Sequence, residues 1–183
     1  MNKLVKKVLA GVIAGTMMLG SVCTAFAATG SATEAPAPEK HEAVKAENGS
    51  KVNTSASGKA TVTSIKKTNK KEVSISSKVV VDGVKYTVTR IEAKTFANAP
   101  KATKVTLPST ITSLGAQAFT GAKSLKTIVI KSTKAVKVNK DAFKGVNTKK
   151  VTIKVTSMSK KELTAFKKQL KKAGFKGTVK LVK

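Results

Sequence analysis

The sequence predicts an α/β repeat solenoid: a short stack of units with parallel strands, entered through a β-hairpin and closed by an α-helix. Three observations point to it. A phenylalanine motif recurs at near-constant spacing, a short alternating strand follows each copy, and hairpin and helix signals flank the set. A constant period in the low twenties is the mark of stacked units that cannot bury their apolar faces alone.

Residues 1–27 read as an export signal. Lys3, Lys6 and Lys7 make a basic start, an uncharged apolar run follows from Val8 to Cys23, and Ala25-Phe26-Ala27 offers a small-x-small cleavage site between Ala27 and Ala28. Gly11, Gly15 and Gly20 interrupt the apolar run, which favours cleavage over a retained anchor. Cys23 lacks the flanking residues of a lipidation site, since Gly20 and Val22 occupy them. Cleavage removes three lysines, lowering the net charge from +27 to +24, and leaves no cysteine for a disulfide. Residues 28–57 are rich in Ala, Ser, Thr, Glu and Pro. They are expected to form a disordered linker, because so little apolar surface cannot offset the entropy of ordering.

Residues 58–90 are expected to form an N-terminal β cap. Lys78-Val79-Val80-Val81 and Val84-Lys85-Tyr86-Thr87-Val88 flank Asp82-Gly83, the strongest two-residue hairpin signal. Val73-Ser74-Ile75 suits a further repeat strand ahead of it.

Residues 91–156 carry the repeats. Ile91–Phe96, Leu114–Phe119 and Val138–Phe143 each begin with an aliphatic, continue with four mostly small or polar residues, and end in Phe. The strands Val105-Thr106-Leu107, Ile128-Val129-Ile130 and Val151-Thr152-Ile153 follow, the first two starting nine residues after their Phe and the third eight. The third unit therefore reads as one residue short, within Gly145–Lys150. Phe96, Phe119 and Phe143 are expected to stack as an internal column, each contributing about 1.5–3 kcal/mol by burial.

Residues 157–183 are expected to form a C-terminal helical cap. Ser159 and Glu162 have capping-box spacing, Leu163, Phe166, Leu170 and Ala173 share one helical face, and Gly174 followed by Phe175 suits the helix end. The opposite face holds Lys160, Lys161, Lys167, Lys168, Lys171 and Lys172.

The unit Ile111–Ile130, "ITSLGAQAFTGAKSLKTIVI", resembles the BspA-like (Treponema pallidum type) leucine-rich repeat. The resemblance runs from about Ala60 to the C-terminus and includes "DGVKYTVTRI" (Asp82–Ile91). It implies a leucine-rich-repeat stack in a secreted or surface bacterial protein with a binding role, adhesion in some relatives. It specifies no ligand.

No catalytic constellation is visible. The single histidine, His41, lies in the linker, and nothing in the repeats pairs a nucleophile with a base. Asp82 is explained by a turn and Glu162 by a helix start, and Glu92 and Asp141 sit at different offsets in their repeats. No metal site, cofactor or phosphate-binding loop is expected. What stands out is charge. Residues 58–183 hold thirty basic and five acidic residues, and Arg90 is the chain's one arginine. Lysine is a hydrated point charge, suited to diffuse attraction to polyanions rather than forked readout of phosphate or bases.

The candidate contact strip comprises Lys104, Thr106, Val129, Lys131, Lys150, Thr152 and Lys154, residues in or beside the repeat strands and facing away from the core. The expected function is that of a non-catalytic binding module engaging an anionic wall polymer, a glycan or a protein. It would be secreted, monomeric, held at the cell surface by charge if at all, and in contact with membrane only during export. A non-specific nucleic-acid or polyanion binder is the first alternative, disfavoured by one arginine and few exposed aromatics. A membrane-active basic helix is the second, but its apolar face is better explained as the lid of the stack.

Overall fold

The computed structural model describes residues 37–182. The expected export signal, with Ala27, Ala28 and Cys23, and the first part of the expected linker lie outside them. The described chain runs β1 (Val44–Lys45), β2 (Lys51–Thr54), β3 (Lys59–Ser64), β4 (Glu72–Ser74), β5 (Lys78–Val81), β6 (Val84–Ile91), β7 (Lys104–Leu107), β8 (Ser113–Leu114), β9 (Thr127–Ile130), β10 (Lys137–Val138), β11 (Thr152–Val155), α1 (Lys160–Lys172) and β12 (Thr178–Leu181).

From β3 to β11 the strands fall into two sheets. One is five-stranded and parallel throughout, in the order β12-β11-β9-β7-β4. The other runs β1-β2-β3-β6-β8-β10, with β5 paired to the first half of β6. The parallel strands alternate buried and exposed positions, as in the buried Val105, Leu107, Ile128, Ile130, Ile153 and Val155. β-branched and aliphatic side chains on the inner positions of such strands bury apolar area while the outer positions stay polar.

The three phenylalanines form the expected column. Phe96 and Phe119 stack with ring centroids 5.0 Å apart and planes within 3°, Phe119 and Phe143 at 5.3 Å and 2°. These spacings are close to one strand separation, about 4.8 Å, so each ring rides on its own rung. Phe175 extends the column with a tilted contact to Phe143 at 5.0 Å. Two residues before each repeat Phe the backbone turns left-handed, at Lys94, Gln117 and Asp141 (φ 57, 56 and 59). The turns bond rung to rung: the Lys94 N–H donates to Gln117 O at 3.0 Å, and the Gln117 N–H to Asp141 O at 2.9 Å. Left-handed backbone costs a non-glycine residue about 1 kcal/mol or more, and a ladder of satisfied backbone groups offsets it.

The Asp82-Gly83 hairpin forms with both residues at positive φ (50 and 80), as a two-residue turn with matching strand twist requires. Its second strand, β6, is also a rung, pairing in parallel with β3 and β8. Val73 is likewise in a repeat strand, β4.

Four expectations are corrected. Residues 37–57, within the expected disordered linker, are ordered. β2 pairs antiparallel with β3, Val52 opposite Val62, and Val52 and Ala46 are buried. The Glu39 N–H donates to the Tyr86 hydroxyl at 2.7 Å, and the His41 N–H to Thr54 Oγ1 at 2.9 Å. Composition measures whether a segment can bury its own surface. It misses a strand that needs only to cover an edge built by others.

The third repeat is longer than read, not shorter. Register places Ile153, not Val151, beside Ile128, ten residues after Phe143, and a 3-10 turn at Thr148–Lys150 takes up the extra length. The parallel stack has five strands: the three repeat strands, the β4 strand expected at Val73-Ser74-Ile75, and β12, which lies in the stretch expected to be a helical cap.

The capping box is only half formed. Ser159 Oγ accepts from the Glu162 N–H at 3.2 Å. The Glu162 carboxylate turns instead to the segment leading into β10, accepting from the Ala135 N–H at 2.6 Å, while Gln169 Oε1 accepts from the Val138 N–H of β10 at 3.0 Å. These two side chains satisfy the outer edge of β10, where its sheet would otherwise end unpaired. The helix buries Phe166 and Leu170 and ends as its sequence suggests. Gly174 sits at φ 78, the Gly174 N–H donates to Lys171 O and the Phe175 N–H to Leu170 O.

Phe119→Ala removes the central ring of the column. It should destabilise the fold by about 3–5 kcal/mol in urea unfolding, more than Leu163→Ala at a half-buried helix position. Glu162→Ala strands a backbone N–H at the sheet edge. It should cost about 1–3 kcal/mol and speed amide exchange at Ala135 and Val138.

Candidate binding face

The outward positions of the five-stranded sheet form two straight rows fixed by register. One is Glu72, Lys104, Thr127, Thr152 and Thr178; the other is Ser74, Thr106, Val129, Lys154 and Lys180. Each row advances by one strand separation per residue, and the rows lie two residues apart along each strand. The face is threonine-rich and studded with lysines.

The sequence-predicted residues divide as follows. Thr106, Val129 and Lys154 share one row. Lys104 and Thr152 share the other, so Thr152 is two residues out of step with Thr106 and Val129. Lys104 and Lys154 lie within their strands rather than beside them. Lys131 follows β9 and is exposed, its N–H donating to Leu107 O at 3.2 Å. Lys150 ends the 3-10 turn before β11 and so lies off the sheet. Lys180, beside Lys154, was missed. The alternation Thr178-Val179-Lys180-Leu181 was its signal, obscured because residues 157–183 read as a helical cap.

Few of these charges are paired. Lys104 Nζ lies 3.2 Å from Glu72 Oε2, the one ion pair on the face. Among the described residues the other two are Lys40–Glu42 at 3.6 Å and His41–Glu39 at 3.7 Å, both before β2. Lys131, Lys154 and Lys180 thus have no acid within salt-bridge distance among the described residues. The exposed lysines of α1, with Lys176, make a second basic surface. An exposed pair such as Lys104–Glu72 contributes about 0–1 kcal/mol, so its effect is mainly to neutralise one corner of the face.

Among the described residues no group of three or more His, Cys, Asp or Glu could hold a metal ion, and no helix is long and apolar enough to cross a membrane. His41 approaches Glu39, not a nucleophile.

Residues 89–183 match the family described as BspA type leucine rich repeat region (6 copies). The chain belongs to that family, and its fold is a leucine-rich-repeat fold with parallel strands and, among the described residues, one α-helix. No curated protein matches the chain. Among solved structures, a leucine rich cell surface protein from Faecalibacterium prausnitzii A2-165 is 24% identical, covering 69% of this chain and 34% of that one, with a TM-score of 0.45. This chain thus spans about a third of that protein's length. A leucine-rich repeat protein from Bacteroides capillosus ATCC 29799 is 20% identical, covering 68% of this chain and 99% of that one, with a TM-score of 0.43.

Replacing exposed, unpaired Lys154 with Glu should leave stability within about 0.5 kcal/mol of the parent. Any gain should appear only at low salt, where relief of like-charge repulsion is least screened, as read by urea unfolding at two salt concentrations.

Proposed function

We propose that the chain is a non-catalytic binding module of the cell surface, a solenoid of leucine-rich repeats closed by α1. In this reading lysines on its sheet face and helix engage an anionic partner: a wall polymer, a glycan or an acidic protein. The observation that carries it is the outer sheet face, on which Lys154, Lys180 and the adjoining Lys131 have no acidic partner among the described residues. A rigid sheet holds these charges at fixed spacing, so a linear polyanion laid across the strands can meet several at once.

Lysine-only contacts act through long-range attraction and displacement of counterions, so binding should be fast and strongly salt-dependent. Adhesion and export fit the family's surface-protein character and the leader-like sequence of residues 1–27.

The test is retention on isolated cell walls. The protein should bind at about 0.05 M salt and elute by about 0.5 M, where the screening length falls to a few ångströms. The triple variant K131E/K154E/K180E should bind about tenfold more weakly at low salt while folding normally. Protein left in the supernatant at low salt would overturn the wall-binding reading. Equal retention of the triple variant would move the contact off the sheet face.

A further inference from the structure

Among the described residues the five-stranded sheet ends at β4. Among the described residues β4 pairs only with β7. The Lys104 N–H donates to Lys71 O and the Ile75 N–H to Thr106 O. In a parallel ladder that pattern turns the N–H and C=O of Glu72 and Ser74 the other way, off the sheet. β7 is the one strand beside β4 among the described residues, so no ladder bond reaches their outward N–H groups.

Those groups border a cleft of about 600 Å³. It exists because the two sheets are unequal at this end. β2 and β1 extend one sheet past β3, while the other stops at β4. Val62, Ile65 and Val79 line the cleft, along with half-buried Val73 and Ile75 on β4 itself. Its charged lining is Lys66, Lys67, Lys70 and Glu72, and Glu72 is already paired with Lys104.

We infer that the β4 edge is a strand-addition site, which takes an extended acidic peptide segment of a partner protein as a sixth strand of the sheet. The unpaired backbone groups of Glu72 and Ser74 supply the ladder. The apolar lining receives every second side chain of the added strand, and Lys66, Lys67 and Lys70 select for acids at the others. A second copy of this chain is the weaker occupant. It would present β12, the other free edge, and so bring Lys176 and Lys180 against Lys66, Lys67 and Lys70. The site deepens the reading of an anionic partner by making that partner a peptide, but it uses a different surface from the sheet face.

The probe is a labelled eight-residue peptide of alternating Val and Glu, titrated by fluorescence anisotropy against the full chain. Two controls accompany it: the same peptide N-methylated at alternate residues, and octa-glutamate. Saturable binding of the alternating peptide is expected, weakened at least about tenfold by N-methylation and in octa-glutamate. Ser74→Pro removes one outward N–H and crowds the edge at a position that edge strands tolerate. It should weaken the peptide by about tenfold with little change in unfolding midpoint, and K66E/K67E should do so without touching the backbone edge. Equal binding of the methylated peptide, of octa-glutamate or by the Ser74→Pro protein would overturn strand addition in favour of charge alone. No binding of the alternating peptide would overturn the site, as would self-association in sedimentation that Ser74→Pro abolishes. The K131E/K154E/K180E variant should bind the peptide at least half as well as the parent, so failure on cell walls and failure at β4 are separate results.

Discussion

Phe96, Phe119 and Phe143 lie face to face at 5.0 and 5.3 Å, close to the separation of hydrogen-bonded strands. That match constrains everything else in the repeats. A column of parallel rings can be continuous only if each rung advances by one strand and stays in register, and register puts Val105, Ile128 and Ile153 in one buried row. The left-handed residues Lys94, Gln117 and Asp141 follow from the same requirement. The chain must turn at the same place on each rung so that backbone groups can bond to the next. Gly121 belongs to this geometry too: a Cβ there would lie 2.7 Å from Ala97 Cα on the neighbouring rung.

A stack built this way has two ends per sheet, and the chain treats them differently. At β10 the helix supplies side-chain acceptors, Glu162 and Gln169, to backbone donors that no strand reaches. At β3 the segment from Glu39 to Thr54 adds two short strands. β12 lengthens the parallel sheet, and among the described residues no strand pairs with its outer edge or with the far side of β4. Sheet edges with unpaired backbone groups invite pairing with other chains.

Charge and fold are separable in this protein. The core is aliphatic and aromatic, and its one buried ring with a polar tip, Tyr86, accepts from the Glu39 N–H. The lysines sit almost wholly on outward positions and make few ion pairs. They add little to stability and much to the field around the molecule, which governs encounter and salt dependence.

Local physics made several elements legible in the sequence. The Phe period specified the stack, since only equal steps align one residue type across rungs. Asp82-Gly83 specified a hairpin because few dipeptides tolerate two positive φ angles, and Ser159, Gly174 and Phe175 marked the helix ends through hydrogen bonds made within a few residues. Tertiary structure decided what depended on a distant partner. Residues 37–57 order by covering β3, which is invisible to a count of their own apolar surface. Glu162 abandons its local partner for the Ala135 N–H. Thr152 and Lys154 take their rows from register with β9, and an extra residue in a turn shifts register without disturbing the alternating pattern. The sequence by itself therefore determined the kind of repeat and the residues that face inward. Which outward residues stand side by side, and which edge is left open, were decided only when the rungs were brought together.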